Sequence, residues 1–264
     1  MPSATRMAAT VMILRDSREG IEVFMVQRTG RAGFMPGAWV FPGGRVDPSD
    51  GLWPEGLRHG GHGAISQMGI DAGMATAFLV AAVRETWEES GIFLGEGHLP
   101  DQQRDAVAHG SRSFARLVSE HGARLSLDAV TPWSWWVTPE QEPRRYDTRF
   151  FVARGDGLQG RHDDSETVNS RWIRPEQALA TTRDGSFPLA PPTWWTLTEL
   201  SAFATVANVL EAARDRSLLR IQPVLRSGDE GLELILPGHD EHPEPEGPEV
   251  PRRIRFAAGK WWAS

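Results

Sequence analysis

The chain contains no cysteine, which excludes disulfides, thiol catalysis and cysteine-ligated zinc at the outset. No apolar run approaches the roughly 18 residues that span a bilayer. An excess of positive charge is also missing. Against 28 Lys and Arg stand 35 Asp and Glu, a net charge of −7, whereas a general nucleic-acid binder displays a basic face. Tyrosine occurs once against eleven tryptophans, an imbalance read here as apolar packing rather than substrate stacking. No internal repeat is found. The opening Met1-Pro2-Ser3-Ala4-Thr5-Arg6 leads straight into a strand-like stretch, and the closing Trp262-Ala263-Ser264 is not a Ser-Lys-Leu address. The expected compartment is therefore the cytoplasm, with neither a membrane nor a nucleic acid as partner.

What is present is a concentration of acid. Arg84-Glu85-Thr86-Trp87-Glu88-Glu89-Ser90-Gly91-Ile92 follows an apolar run, Ala77 to Val83, with the character of a buried helix. Residues three and four apart share a helix face, so Glu85, Glu88 and Glu89 point into one space. Their mutual repulsion calls for a cation, and hard carboxylate oxygens suit Mg²⁺ or Mn²⁺. The bland alternative is a solvated helix face on which Arg84 pairs with Glu88 four residues on. Upstream lies Phe41-Pro42-Gly43-Gly44-Arg45-Val46-Asp47, where two glycines permit close backbone approach.

Together these segments resemble the signature of the Nudix hydrolases: Gly, five residues, Glu, seven residues, then Arg-Glu-U-x-Glu-Glu-x-Gly-U, with U bulky and apolar. Gly44 opens the pattern. Asp50 stands where the family has Glu, Thr86 stands at an apolar position, and about 26 extra residues separate the two halves. The insertion resembles one branch, the coenzyme A diphosphatase-like enzymes related to mammalian peroxisomal Nudix proteins. So do Gln27-Arg28-Thr29, Gly33-Phe34-Met35-Pro36-Gly37, Pro143-Arg144-Arg145-Tyr146-Asp147-Thr148-Arg149-Phe150-Phe151 and Pro191-Pro192-Thr193.

The resemblance implies an α/β/α sandwich with a mixed sheet, and a diphosphatase dependent on Mg²⁺ or Mn²⁺. It implies metal ligation by Glu85, Glu88, Glu89 and the Gly43 carbonyl, and catalytic roles for Glu85, Glu88 and Arg84, the arginine orienting a glutamate. Gly44, Arg28, Arg145 and Arg149 are expected to bind substrate, with Arg31 and Arg144 as further phosphate candidates and Glu166 as a loop acid. Asp50 is expected to be structural, with Asp47 competing for its role. His59, His62 and His109 have no metal-like spacing. The implied substrate is a nucleoside diphosphate linked to a group X. Coenzyme A or an acyl-CoA is the leading expectation, giving 3′,5′-ADP and (acyl-)phosphopantetheine. The alternatives are ADP-ribose or a dinucleotide, and a nucleotide-binding module without catalysis. A homodimer is left open.

Runs rich in β-branched and apolar residues at 7–15 and 21–28, separated by Asp16-Ser17-Arg18-Glu19-Gly20, predict a hairpin, and further strands are expected at 39–41, 133–137, 148–153 and 170–173. Helices are expected at about 74–90, 102–120, 176–180 and 193–214, with Gly91 stopping the first. Residues 51–73 read as an irregular surface loop with one short helix at most. The expected organisation is a Nudix domain over 1–220 and an extension over 221–264 packed on it. That extension comprises a hairpin at 221–236, a Pro/Glu-rich tether at 237–251 and an edge strand at 253–256.

Overall fold

A computed structural model describes residues 5–30, 35–107, 110–182, 186–228, 231–247, 251–257 and 260–263. Arg31, Gly33, Phe34 and His109, and the hairpin residues Asp229 and Glu230, lie outside the described residues. The chain opens with the antiparallel strands β1 (Arg6–Ser17) and β2 (Gly20–Arg28), then β3 (Trp39–Val40) and β4 (Gly43–Arg45). Next come β5 (Arg58–His59), helices α1 (His62–Met68) and α2 (Ala72–Ser90), and β6 (Gly95–Glu96). Helices α3 (Arg104–Val107) and α4 (Ser111–Glu120) lead to β7 (Arg124–Ser126), β8 (Thr131–Val137), β9 (Tyr146–Arg154) and β10 (Thr167–Ile173). Then follow α5 (Pro175–Thr182), α6 (Pro191–Leu200), α7 (Val206–Arg214) and β11 (Arg220–Ile221). The chain closes with β12 (Val224–Gly228), β13 (Gly231–Ile235), β14 (Arg253–Ala257) and β15 (Lys260–Ala263).

The main sheet runs β10-β2-β1-β9-β8-β11, with β3 on β2 and β4 on β1. It is mixed, because β1 lies parallel to β9 and β11 parallel to β8. Side chains alternate across it. Ala9, Val11, Ile13, Phe24, Val26 and Phe151 pack against α2 on one face. Met12, Leu14, Val23, Met25 and Val152 pack on the other against α5, α6 and α7. This is the expected α/β/α sandwich.

Helix α2 is buried on most sides, so its sequence from Ala75 to Val83 is almost wholly apolar rather than amphipathic. The Asp71 side chain caps its start by accepting from the Met74 N–H at 3.0 Å. Gly91 ends it in the left-handed region, φ 71°, donating its N–H to the Trp87 carbonyl.

Several expectations are corrected. Residues 51–73 are not an irregular surface loop. They form two 3₁₀ turns, a strand in the small sheet β5-β7-β6, and α1. Trp53 is buried and forms a chain of rings with Phe114 and Trp87, at centroid distances of 5.6 and 5.4 Å, that clamps the insertion to α2. The helix expected over 102–120 breaks at Gly110, whose φ of 118° suits no L-residue. The 193–214 helix is two helices, the second restarted where the Thr205 side chain accepts from the Asn208 N–H. The 237–247 part of the tether is folded: Gly238 N–H bonds the Glu244 carbonyl, and His242 is buried against the Gln222 carbonyl. Strand β14 is internal, flanked by β13 and β15.

Trp53→Ala should cost about 3–5 kcal/mol in urea unfolding, the usual range for a buried aromatic. Leu52→Ala, at a side chain 79% exposed, should stay within about 0.5 kcal/mol. If both substitutions were silent, the insertion would not be part of the core.

Candidate active site

The last two turns of α2 face β4 across the end of the main sheet, and the sequence of each element explains the closeness. Gly44 has no side chain, and a Cβ there would collide with the Glu85 carboxylate. Gly43, beside the β1 backbone at Ala9 and Thr10, is equally intolerant of a side chain. Its N–H donates to Glu89 Oε2 at 2.9 Å.

Arg84 organises the cluster. It is almost fully buried, and its guanidinium uses every edge. Nε and Nη2 grip the two oxygens of Asp50, each at 3.0 Å. Nη1 donates to Glu85 Oε1 at 2.8 Å and Glu88 Oε2 at 3.0 Å, and Nη2 also reaches the Arg45 carbonyl at 2.9 Å. Such forked geometry is specific to arginine. Asp50 is wholly buried and also accepts the Asp47 N–H at 2.8 Å. Its role is to hold Arg84. The shorter Asp side chain at the signature's Glu position therefore belongs with the insertion it opens. Asp47 is bound locally by the Ser49 hydroxyl and N–H, which lower its pKa despite partial desolvation.

Three carboxylates thus surround one guanidinium, and a fourth, Glu89, lies beside them on the Gly43 N–H. Burial raises the Glu85 pKa, with Arg84 opposing and Glu166 adding repulsion. Burial pushes Glu88 up to about 8 against the pull of Arg84, with Glu85 reinforcing the rise. Glu89 is raised well above the ordinary carboxylate value, by complete burial and then by Glu85. Glu88 Oε1 is buried without a hydrogen-bond partner. Among the described residues no three acid or imidazole side chains are already drawn together at coordination distance. Arg84 and the Gly43 N–H hold the three glutamates instead. The donor set nevertheless fits a hard divalent cation: clustered carboxylates short of positive charge, one orphaned oxygen and a backbone with no Cβ in the way.

The site opens into a cleft of about 1320 Å³. Arg28, Gly43, Gly44, Arg84, Glu85, Glu88, Glu89 and Glu166 all line it, together with Arg144. Arg28 lies near enough to lower the Glu89 pKa, and its own Nε is buried without a partner. Glu166 is exposed on the loop before β10, and its carbonyl accepts the Thr29 N–H.

Two expected substrate arginines are elsewhere. Strand parity decides it: Tyr146, Thr148 and Phe150 of β9 face the cleft, so the odd residues face away. Arg149 is buried on the α2 side, stacked over Trp135 at 3.7 Å and Phe78 at 5.0 Å and paired with Asp147 at 2.5 Å. Arg145 is also buried outside the cleft lining, and its Nε donates to the Thr138 carbonyl. Sequence reasoning missed the opposite wall, where Leu225, Leu232, Phe256 and Trp261 line the same cleft. The alternation of apolar residues at 232 and 234, and at 254 and 256, was the available signal.

Residues 66–200, half of the chain, match the model of the NUDT19 Nudix domain. The chain belongs to this Nudix family. It is 29% identical over 272 residues to the acyl-coenzyme A diphosphatase NUDT19 of Xenopus laevis, covering 84% of this chain and 72% of that protein. The Homo sapiens acyl-coenzyme A diphosphatase NUDT19 is 27% identical over 273 residues, with the same coverage. A crystal structure of a NUDIX hydrolase from Alicyclobacillus acidocaldarius superposes with a TM-score of 0.70 at 26% identity, covering 83% of this chain and 99% of that one. The chain is accordingly a Nudix diphosphatase, an enzyme rather than a passive nucleotide-binding module.

The Nudix carboxylates generate a pH prediction. Folded Glu88 keeps its proton up to about pH 8, against 4.5 for a free glutamate, so the folded state holds more protons within that window. Metal-free stability must then fall as pH rises through it. The Tm of metal-free protein should drop from pH 5 to pH 8, Mn²⁺ should restore more at pH 8, and Glu88→Gln should flatten the drop. A Tm profile identical in wild type and variant would contradict the buried, proton-holding carboxylate.

Proposed function

We propose that the chain hydrolyses the pyrophosphate of coenzyme A or an acyl-CoA, giving 3′,5′-ADP and the corresponding phosphopantetheine. The observation that carries this is the meeting of three glutamates short of balancing positive charge with the Gly43-Gly44 backbone at one end of a large cleft. The names of the relatives supply the substrate class.

A divalent cation, Mg²⁺ or Mn²⁺, would neutralise the diphosphate, lower the pKa of a bound water and stabilise the departing phosphate. Glu85, Glu88 and Glu89 would hold it, with the Gly43 carbonyl as a backbone ligand. Arg84 keeps Glu85 and Glu88 in fixed rotamers without touching substrate. Asp50 keeps Arg84 in place in turn. Arg28 and Arg144 offer positive charge to the substrate phosphates from the cleft wall. Glu88, ionised when a cation is bound and with one oxygen outside the grip of Arg84, or Glu166, on the cleft wall, would take a proton from the attacking water. The cytoplasm is the proposed compartment.

With Mg²⁺ or Mn²⁺ present, mass spectrometry should find 3′,5′-ADP and phosphopantetheine from CoA, with ADP-ribose and dinucleotides turned over more slowly. Glu89→Gln should lower kcat by about 100-fold or more while leaving the melting transition cooperative. A preference for ADP-ribose would move the substrate assignment to the other nucleotide diphosphates, and full activity in the variant would remove the mechanism.

A further inference from the structure

The cleft extends well past the carboxylates. Its 1320 Å³ exceeds the roughly 300–1,000 Å³ of a site for one drug-sized ligand. The far wall is the four-stranded sheet β12-β13-β14-β15, one face of which is apolar and the other mixed. The register puts Leu225 beside Leu234, Leu232 beside Phe256, and Phe256 beside Trp261. These residues and Ile254 form one apolar face. The other face carries Arg226, Glu233, Arg253 and Arg255, with Glu233 bridged to both Arg253 and Arg255, beside the apolar Val224, Ile235 and Trp262. Deeper in, Leu234 and Ile254 are buried in the core. Leu225, Leu232, Phe256 and Trp261 are only partly buried, and they line the cleft.

The wall is fixed in position. Trp261 donates its indole N–H to the Leu189 carbonyl at 2.9 Å, and Leu189 bridges to Trp39 of β3, the strand just before the Gly43-Gly44 pair of β4. That bond satisfies the ring's polar atom, so Trp261 offers hydrocarbon to the cleft. Its ring packs on Phe256 at a 4.5 Å centroid distance. The residues named on this wall present no donor or acceptor with which to read a nucleobase edge.

We propose that this face of the C-terminal sheet is the subsite for the aliphatic acyl chain of an acyl-CoA, with the pyrophosphate at the glutamates and the chain running along Leu225, Leu232, Phe256 and Trp261. The inference rests on the acyl-CoA reading above. Transfer of each methylene onto such a surface is worth about fourfold in affinity, so chain length becomes the readout.

The test compares kcat/KM for dodecanoyl-CoA with that for free CoA, in wild type, Leu232→Gln and Phe256→Ala. Binding of cis-parinaric acid, a fluorescent fatty acid without a nucleotide, is followed in parallel. Wild type should prefer the acyl substrate about tenfold or more, and both variants should lose most of that ratio. A ratio unchanged in the variants overturns the subsite. So does an equal loss on both substrates, which would place the nucleotide on this wall. If wild type hydrolyses neither compound, the substrate reading fails by itself. The subsite is then decided by parinaric acid, whose binding must be present in wild type and weakened by Leu232→Gln, and absence of binding overturns it.

Discussion

One buried guanidinium is the constraint on which the site depends. Arg84 faces Asp50 on one side and Glu85 and Glu88 on the other, and burial alone would make each partner costly. A buried charge is tolerable only when paired and hydrogen-bonded. The arrangement is asymmetric, because one positive charge cannot balance Asp50, Glu85, Glu88 and the adjacent Glu89. Burial makes the metal-free cluster hold protons, and the residual negative potential reinforces this. It also gives a divalent cation a strong reason to enter.

The fold places each participant. Helix α2 is clamped from outside by Trp53 and Phe114 against Trp87, and from inside by the sheet. The insertion between the two halves of the signature is therefore part of the scaffold: Asp50, the residue just before it, holds Arg84, and the ring of Trp53 within it steadies the helix behind the glutamates. The β1–β4 pairing brings Gly43 and Gly44 against α2, so the backbone approaches where any side chain would collide. Rigid positioning of this kind matters because small displacements of catalytic groups are costly in rate.

Much of this was legible in the sequence where the signal was local. The spacing of Glu85, Glu88 and Glu89 on one helix face, the stop at Gly91 and the hairpin around 16–20 depend on neighbours within a few residues. What depended on long-range pairing was harder. Residues 51–73 are rich in glycine and lack periodicity, yet tertiary burial of Trp53 and Met68 orders them. Arg145 and Arg149 sit in a segment resembling substrate-binding motifs, but alternation along β9 turns them away from the cleft that Thr148 and Phe150 face. Strand β14 gained an outer neighbour in β15, whose short sequence gives little warning. The apolar wall of the cleft was hidden for a similar reason: it is contributed by four strands joined only by their register.

The catalytic role of the acidic cluster depends most directly on where a cation goes. A crystal grown with Mn²⁺ and examined by anomalous scattering should show a peak in contact with at least two of the Glu85, Glu88 and Glu89 carboxylates, within reach of the Gly43 carbonyl. Manganese bound only away from these glutamates, or none bound with substrate present, would contradict the claim that this acidic cluster is the catalytic centre.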